Sequence, residues 1–375
     1  MNTLYKKIVS FAFLGILSAI VLVTCIRHGN SGPAGPPTVI VRDHKNGGFF
    51  ANISIINHLI HTYEQSEKKL VVLLDSGLYK EDRPQFITDN PYYDKHDWFS
   101  YYFEPINQTD QPLSYWKKWV DMSPLSQAMM PEGCSAQIFT VHSIKNYYSF
   151  DSDPDYYNQE FHRIWHQYFK LRPHVQKMVD DFKKKHDFAN KYVITLHYRG
   201  TDKYNRPDAY EDNHEHPPYE FCSALVKKLI RESGHPINSV VTFIATDEQP
   251  FVVHMEKEDV NAVFIDAIRS DVNTSGLDLA ASGSSQSSIY NRLSTQSIHL
   301  GMPDKSNYIK GLDVLVDAIL LGSGNTFIKS RGNVSRQACW IGGPKMRSVD
   351  LVSEFNAYKK RSVSGDDWKT IYDDL

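Results

Sequence analysis

His197, Arg199, Asp202 and Lys203 lie within the run Tyr192 to Lys203, which reads Y-V-I-T-L-H-Y-R-G-T-D-K. Val193, Ile194 and Leu196 suit a buried strand, and Gly200 breaks it. In an open α/β sheet, ligands bind beyond the carboxyl ends of strands, so a strand that ends in charge marks a site. A guanidinium there can grip two oxygens of a phosphate at once, which an ammonium cannot. The run therefore points to a phosphate or diphosphate site centred on Arg199. A surface turn with an ordinary ion pair between Arg199 and Asp202 is the plainer alternative.

A second chemical block runs from Tyr308 to Trp340. Its apolar spacing predicts a helix with Asp313 and Asp317 four residues apart on one face, then a short strand at Thr326 to Ile328. A turn at Ser330 to Asn333 leads into another helix. Backbone N–H groups at a helix N-terminus behind a small-residue loop form an anion site, which shares a sheet edge with Arg199 if the strands are parallel. A carboxylate such as Asp317 can accept both N1–H and the exocyclic amine of guanine. The plainer alternative is an exposed helix face followed by a helix cap.

The elements that must position these residues alternate between strand and helix. Thr38 to Arg42 predicts a first strand. Asn46, Gly47 and Gly48 predict a turn, and Ile53, Ile56, Leu59, Ile60 and Tyr63 recur with helical spacing. Leu70 to Leu74 is a continuous apolar run suited to a buried parallel strand, completing a βαβ unit. Aromatic residues crowd Asn90 to Ile106, and Gln137 to Val141 offers another strand. Asp151 to Asp155 reads D-S-D-P-D and precedes a helical pattern, so helix capping explains it better than metal binding. That helix carries Phe161, Ile164, Trp165, Tyr168 and Phe169, is interrupted near Pro173, and resumes through Val175, Met178, Val179 and Phe182. After the strand to His197 come a polar loop and a helix from about Tyr219 to Glu232. A strand at Ser239 to Ala245, a short helix after Pro250 and a strand at Ala262 to Ile265 complete this set. His214, Glu215 and His216 in the polar loop make a poor metal site, and Ser282 to Ser288 reads as a flexible loop.

With 375 residues, 41% of them hydrophobic, the chain is long enough for two domains, each with its own core. Its 41 basic and 44 acidic residues give a net charge of -3, with no arginine-rich tract, so a nucleic-acid surface is set aside. Ile8 to Ile26 carries no charge and is flanked by Lys6 and Lys7 before it and Arg27 behind it. A helix of that length matches the hydrocarbon core of about 30 Å. The positive-inside rule keeps the N-terminus cytosolic, which makes the segment a type II signal anchor; a lipoprotein signal at Leu22 to Cys25 is its main rival. Arg27 to Thr38, rich in glycine and proline, reads as a stalk. Sequons at Asn52, Asn107, Asn273 and Asn333 suit a secretory lumen, and the spacing of Cys134, Cys222 and Cys339 matches no zinc pattern. Asn52 and Asn333 fall at expected site loops, where a glycan would block the cleft, so both are expected to be unmodified.

Three blocks in order resemble a known family. H-Y-R-G-T-D-K at His197 to Lys203 resembles the first motif of the α1,6-fucosyltransferase, NodZ and protein O-fucosyltransferase superfamily. I-A-T-D-E at Ile244 to Glu248 resembles its second motif, and Asp317 to Arg336 resembles its third. G-G-F-F-A-N at Gly47 to Asn52 is similar to the glycine loop near the family's first strand. The resemblance implies a GT-B-type α/β fold of two Rossmann-like lobes behind the transmembrane helix, with GDP-fucose as donor substrate and neither cofactor nor metal. It implies that Arg199 holds the β-phosphate, with Lys203 adding charge near the leaving group, and that His197 sits against the guanosine. Asp317 would read guanine, with Asp313 as its competitor, and Gly332, Asn333, Val334 and Ser335 would contact phosphates. Asp247 joins the donor site by the second motif, and Gly47, Gly48, Phe49 and Asn52 form an acceptor or cleft loop. The family's proposed base falls near Pro207, which leaves Asp208 and Glu211 as the nearest carboxylates and the base unassigned. Arg331 and Gly332 replace serines common in the third motif.

These observations lead to an expected layout of a cytosolic tail at 1–7, an anchor at 8–26, a stalk at 27–38 and an acceptor-side lobe at 39–186. Next come a donor lobe at 187–345 and a tail at 346–375 that packs back on the first lobe. The expected activity is an inverting, metal-independent transfer of fucose from GDP-fucose to a glycan or glycoprotein hydroxyl, at the Golgi or ER membrane with the catalytic part in the lumen. A transferase using another nucleotide sugar, and a glycan-binding descendant without catalysis, are the alternatives.

Overall fold

The computed structural model describes residues 38–42, 48–65, 69–75, 78–81, 97–106, 136–140, 154–200, 217–271, 273, 305–330 and 332–361. The expected anchor at Ile8 to Ile26 and the stalk lie outside them. Among the described residues no helix is long and apolar enough to cross a membrane.

Strands β1 (Thr38–Arg42), β2 (Lys69–Leu73) and β3 (Ala136–Thr140) form an all-parallel sheet in the order β2-β1-β3. Leu70, Val71, Val72 and Leu73 are all buried, because a parallel strand is covered on both faces. Helix α1 (Phe49–Tyr63) connects β1 to β2 and is buried along most of its length, polar Asn52, Ser54 and Asn57 included. Its covering comes from α2 (Pro154–Tyr168) and from α7 (Asn333–Gly342) of the second half of the chain. Pro173 then starts α3 (Pro173–Lys185), where a proline at the first helical position costs no hydrogen bond.

The second sheet is also parallel. Its strands β4 (Tyr192–Tyr198), β5 (Val240–Thr246), β6 (Ala262–Val263), β7 (Thr326–Lys329) and β8 (Arg347–Asp350) stand in the order β6-β5-β4-β7-β8. The chain works outward from β4 through α4 (Tyr219–Ser233), β5 and α5 (Gln249–Lys257) to β6, then returns through α6 (Asn307–Leu321) to the other side of β4. That reversal between β4 and β7 is the topological switch point at which doubly wound sheets bind ligands. Strand β6 is shorter than the expected Ala262 to Ile265.

The expected tail beyond residue 346 requires correction. Arg347–Asp350 pairs with β7 as an edge strand, and Leu351, Phe355 and Tyr358 of α8 (Leu351–Arg361) join the core around Phe221. The segment thus completes the second sheet. Its polar strand R-S-V-D sits at the edge and is half exposed, so it carries no apolar run to announce it.

The two halves meet along α6. Glu81 is fully buried, and its Oε2 accepts from the Asn307 N–H at 2.7 Å and from Ser306 Oγ at 3.1 Å, a carboxylate placed at the positive end of the helix. Tyr102 Oη donates to the Tyr308 carbonyl at 2.9 Å, and the two rings stack at 5.6 Å. Phe49, Tyr79, Trp98 and Tyr102 form an aromatic cluster beneath that contact. The aromatic crowding seen in the sequence is therefore core where it is described. Gly311 makes the approach possible, because a Cβ there would lie 2.2 Å from Tyr102 Oη and 2.8 Å from its Cζ.

Gly311→Ala is therefore expected to lower stability by about 1–3 kcal/mol, read as a lower melting temperature, since the stacked Tyr102 cannot swing away without disturbing its cluster. Unchanged melting would contradict the close approach. Asn52 is only 2% exposed within α1. Glycopeptide mass spectrometry of the chain expressed in a secretory host is expected to find it unmodified because of this burial, and a glycan at Asn52 would be incompatible with the packing of α1.

Candidate functional site

The carboxyl end of β4 delivers His197 and Arg199 to the switch point. Asp247, just past β5, fixes the backbone and the charge at that end. Its Oδ1 accepts from the Gly200 N–H at 2.9 Å, and its Oδ2 pairs with Arg199 Nη1 at 3.0 Å. Both partners are largely buried, so the guanidinium is held by a carboxylate that water barely screens. The ion pair thus joins the first and second sequence blocks, while Asp202 lies outside the described residues. Glu248 is fully buried beside it and accepts from Tyr219 Oη at 2.6 Å. Gly200 is required there, because a Cβ would fall 1.7 Å from Glu248 Oε1.

His197 faces the other way along the same edge. Its Nδ1 lies 2.7 Å from Ser335 Oγ and 2.9 Å from Ser330 Oγ, binding the end of β4 to the turn between β7 and α7. Burial, and after it the charge of Arg199, pushes the imidazole pKa down to about 3, against an opposing pull from Asp247. The ring is therefore neutral at physiological pH. Gly332 precedes α7 with φ 139°, in the region that favours glycine, and no side chain caps the helix. Its first N–H groups, at Asn333, Val334 and Ser335, are the orphan donors of an α-helix start. Ser335 is expected among the phosphate contacts, but its hydroxyl is committed to His197.

Helix α6 closes the cleft. Asp313, Val314 and Asp317 line it together with His197, Arg199 and Val334, around roughly 570 Å³ of non-protein space open to solvent. Neither aspartate sits on an exposed helix face. Asp313 Oδ2 accepts from the Ile268 N–H at 2.9 Å, which anchors the segment after β6. Asp317 Oδ1 is buried without a hydrogen-bond partner. Burial raises the Asp313 carboxyl to about 6, against the Ile268 hydrogen bond and the charge of Arg269. Asp317 is raised well above the ordinary carboxylate range by burial, Arg269 opposing and Asp313 adding to it. The two expected competitors for a base edge are thereby distinguished: one already holds a backbone N–H, while the other presents an open acceptor.

Tyr79, Thr246, Ile268 and Lys310 also line this cleft and are absent from the sequence-based assignment. Of these, Lys310 alone carries a sequence signal, since it lies three and seven residues before Asp313 and Asp317 on the same helical face. The others enter through tertiary packing or the backbone. Gly47, Lys203, Asp208 and Glu211 lie outside the described residues, as do Arg331, His214 and His216. Gly48 precedes α1 with open space where a side chain would stand. The acceptor-loop assignment is corrected at Phe49 and Asn52. Phe49 is packed in the aromatic cluster, and Asn52 Nδ2 turns back to the Gly48 carbonyl at 3.4 Å. Both side chains face the core because α1 is covered on nearly every side. Among the described residues no group of three or more His, Cys, Asp or Glu side chains is placed to hold a metal ion. Cys222 and Cys339 are free thiols.

No family model matches the chain, and no curated protein does. Among solved structures it is similar to the NodZ α-1,6-fucosyltransferase co-crystallised with GDP, at 14% identity and a TM-score of 0.42 over 81% of this chain and 92% of that one. Fucosyltransferase NodZ from Bradyrhizobium gives the same figures. POFUT1 in complex with GDP is similar at 10% identity and a TM-score of 0.40, over 84% of this chain and 97% of that one.

The folded Asp313 titrates near 6, above the ordinary aspartate value of 3.8, so the folded protein holds a proton there that the unfolded chain has lost. Its contribution to stability is present below about pH 4 and is lost as pH rises through about 6. Asp313→Asn is thus expected to gain about 1–2 kcal/mol relative to the parent between pH 4 and pH 7, after discounting for partial solvent access. Parallel pH profiles of denaturant unfolding for the two proteins would refute this.

Proposed function

We propose that this chain is an inverting glycosyltransferase that moves fucose from GDP-fucose to a hydroxyl of a glycan or glycoprotein. The observation that carries the proposal is the convergence of Arg199, the uncapped start of α7 and the open Asp317 carboxylate on one cleft at a switch point. A guanidinium and helix N–H groups suit a diphosphate, and a buried carboxylate with an open acceptor suits the N–H edge of guanine. The resemblance of the three sequence blocks to the fucosyltransferase superfamily supports fucose as the sugar.

In this reading the acceptor oxygen attacks C1 of fucose on the face opposite the diphosphate. The C1–O bond breaks with its electron pair passing to the β-phosphate oxygen, and the configuration at C1 inverts. Arg199 and the α7 N–H groups stabilise the charge that gathers there, the largest catalytic term expected for such a displacement. Asp247 acts through Arg199 as a positioning residue. Neutral His197 packs the nucleoside side and fixes the β7 turn through Ser330 and Ser335. The acceptor proton passes to a base, for which Asp208 and Glu211 are the candidates, with Lys203 adding charge to the leaving group. In the same proposal the chain is a single-pass type II protein of the Golgi or ER membrane, held by Ile8 to Ile26, with the cleft in the lumen.

Calorimetry on the full chain in detergent is expected to show GDP binding that UDP does not compete away. Arg199→Ala is expected to weaken GDP binding and to lower fucosyl transfer about a hundredfold or more, while EDTA leaves the rate unchanged. Full activity in Arg199→Ala would remove the site assignment, loss of activity in EDTA would remove the metal-independent mechanism, and preferential binding of UDP would identify a different nucleotide-sugar donor.

A further inference from the structure

Helix α7 is held at both ends by histidines. At its start, Ser335 Oγ lies 2.7 Å from Nδ1 of His197 on β4. At its finish, Nδ1 of His162 on α2 lies 2.9 Å from the Trp340 carbonyl oxygen and 3.1 Å from that of Ile341. Nε2 of His166, one turn further along α2, lies 3.1 Å from the same Ile341 oxygen. A carbonyl oxygen can only accept, so these two ring nitrogens carry protons and donate. The rings meet edge to face with centroids 4.4 Å apart.

The last four carbonyls of an α-helix have no partner within it. In α7 the Cys339 carbonyl accepts from the Gly343 N–H at 2.8 Å, and the next two are served by the histidines of α2, in the first half of the chain. Trp340 and Ile341 are buried, so water is a poor substitute for those donors. Gly343, at φ 72°, makes the seat for His162, because a Cβ there would lie 2.6 Å from Nδ1 itself. Phe161, beside it in sequence, packs its ring on Trp340 with centroids 4.4 Å apart. The ten residues of α7 span about 15 Å and contain no proline to bend them, so where the helix ends decides where it starts. That start is uncapped by any side chain and brings Val334 to the cleft.

Resting on the reading of this cleft as a nucleotide-sugar site, we propose that His162 is a positioning residue for the diphosphate. By fixing the carbonyl end of α7 from the first half of the chain, it sets how far the N–H groups of Asn333 and Val334 reach toward the phosphate oxygens. His166 braces the same carbonyl from one turn away. Neither histidine touches the ligand; both act through the helix. The part of the ligand they govern is the anion, because the base is read by α6 rather than by α7.

The test compares GDP with guanosine by calorimetry on the full chain for the parent, His162→Ala and His162→Asn. Positioning of the anion site predicts that His162→Ala weakens GDP about fivefold or more and leaves guanosine within about twofold. His162→Asn, whose amide N–H can stand where the Nδ1–H stood, is expected to recover most of the loss. Equal weakening of GDP and guanosine would mean that His162 only supports packing between α2 and α7, and would overturn the proposal. Undiminished GDP binding in His162→Ala would do the same, as would an asparagine variant no better than alanine. The melting temperature reports whether each variant is folded, and His162→Leu, which fills the seat without a donor, replaces the alanine variant if that one is not. Tighter binding of UDP than of GDP by the parent would overturn the guanine reading alone, and UDP against uridine would then decide His162. Binding of neither nucleotide would overturn both.

Discussion

One carboxylate holds the candidate site in shape. Asp247 fastens the turn after β4 through the Gly200 N–H and the guanidinium through Arg199. Strand pairing sets this up, because β4 and β5 run parallel with His197 opposite Ala245 and Tyr198 opposite Thr246. Their ends therefore emerge side by side. A buried ion pair of this kind is a poor source of stability, since desolvation offsets most of the attraction. Its value lies in orientation: the guanidinium cannot turn to solvent, and the peptide at Gly200 cannot rotate. The crowding at Glu248 limits position 200 to glycine, so the backbone and the ion pair constrain each other.

Around that centre the fold assembles three helix and strand ends of unlike chemistry. The end of β4 brings fixed positive charge, the start of α7 brings orphan N–H donors, and one face of α6 brings carboxylates whose burial works against their ionisation. A ligand with a negative group and a hydrogen-donating edge resolves both unfavourable features at once. The anion meets the donors, and the donating edge stabilises an ionised aspartate. Neither the start of α7 nor the flank of α6 suits an apolar pocket, and their juxtaposition across a few side chains is what distinguishes this cleft from a packing gap.

Much of this arrangement is legible in the sequence, and the reasons differ by residue. The β4 run ending at His197 and Arg199 and the small-residue turn before α7 announce themselves because apolar continuity and glycine are local signals. The ends of these elements differ from expectation by only a residue or two. The 347–350 strand escapes such a reading because an edge strand tolerates polar residues, and its pairing with β7 is invisible in a four-residue stretch. The glycines beside Phe49 and Asn52 suggest a cleft loop, yet the helix they open is wrapped on nearly all sides. Lys310 is within reach of helical spacing, but a lysine reads as solvent-facing until the covering half of the chain is known. The Ile268 amide offers no side-chain signal at all, and Tyr79 reaches the cleft only through the docking of the first half of the chain.

Helix α6 carries a mechanical consequence. Its N-terminal turn is held by Glu81 and its Tyr308 ring lies on Tyr102, both from the first half, while its remaining length packs against α3, α7 and the second sheet. Rigid contacts on both sides of one rod leave no freedom for the halves to swing independently of it. A rotation that opened the molecule between its sheets would have to tilt α6, and the aspartates on its flank would move relative to Arg199, which stays with β4. The distance between Arg199 and the α6 aspartates is thereby geared to the separation of the two sheets, so that both halves of the chain act on the cleft through one shared rod.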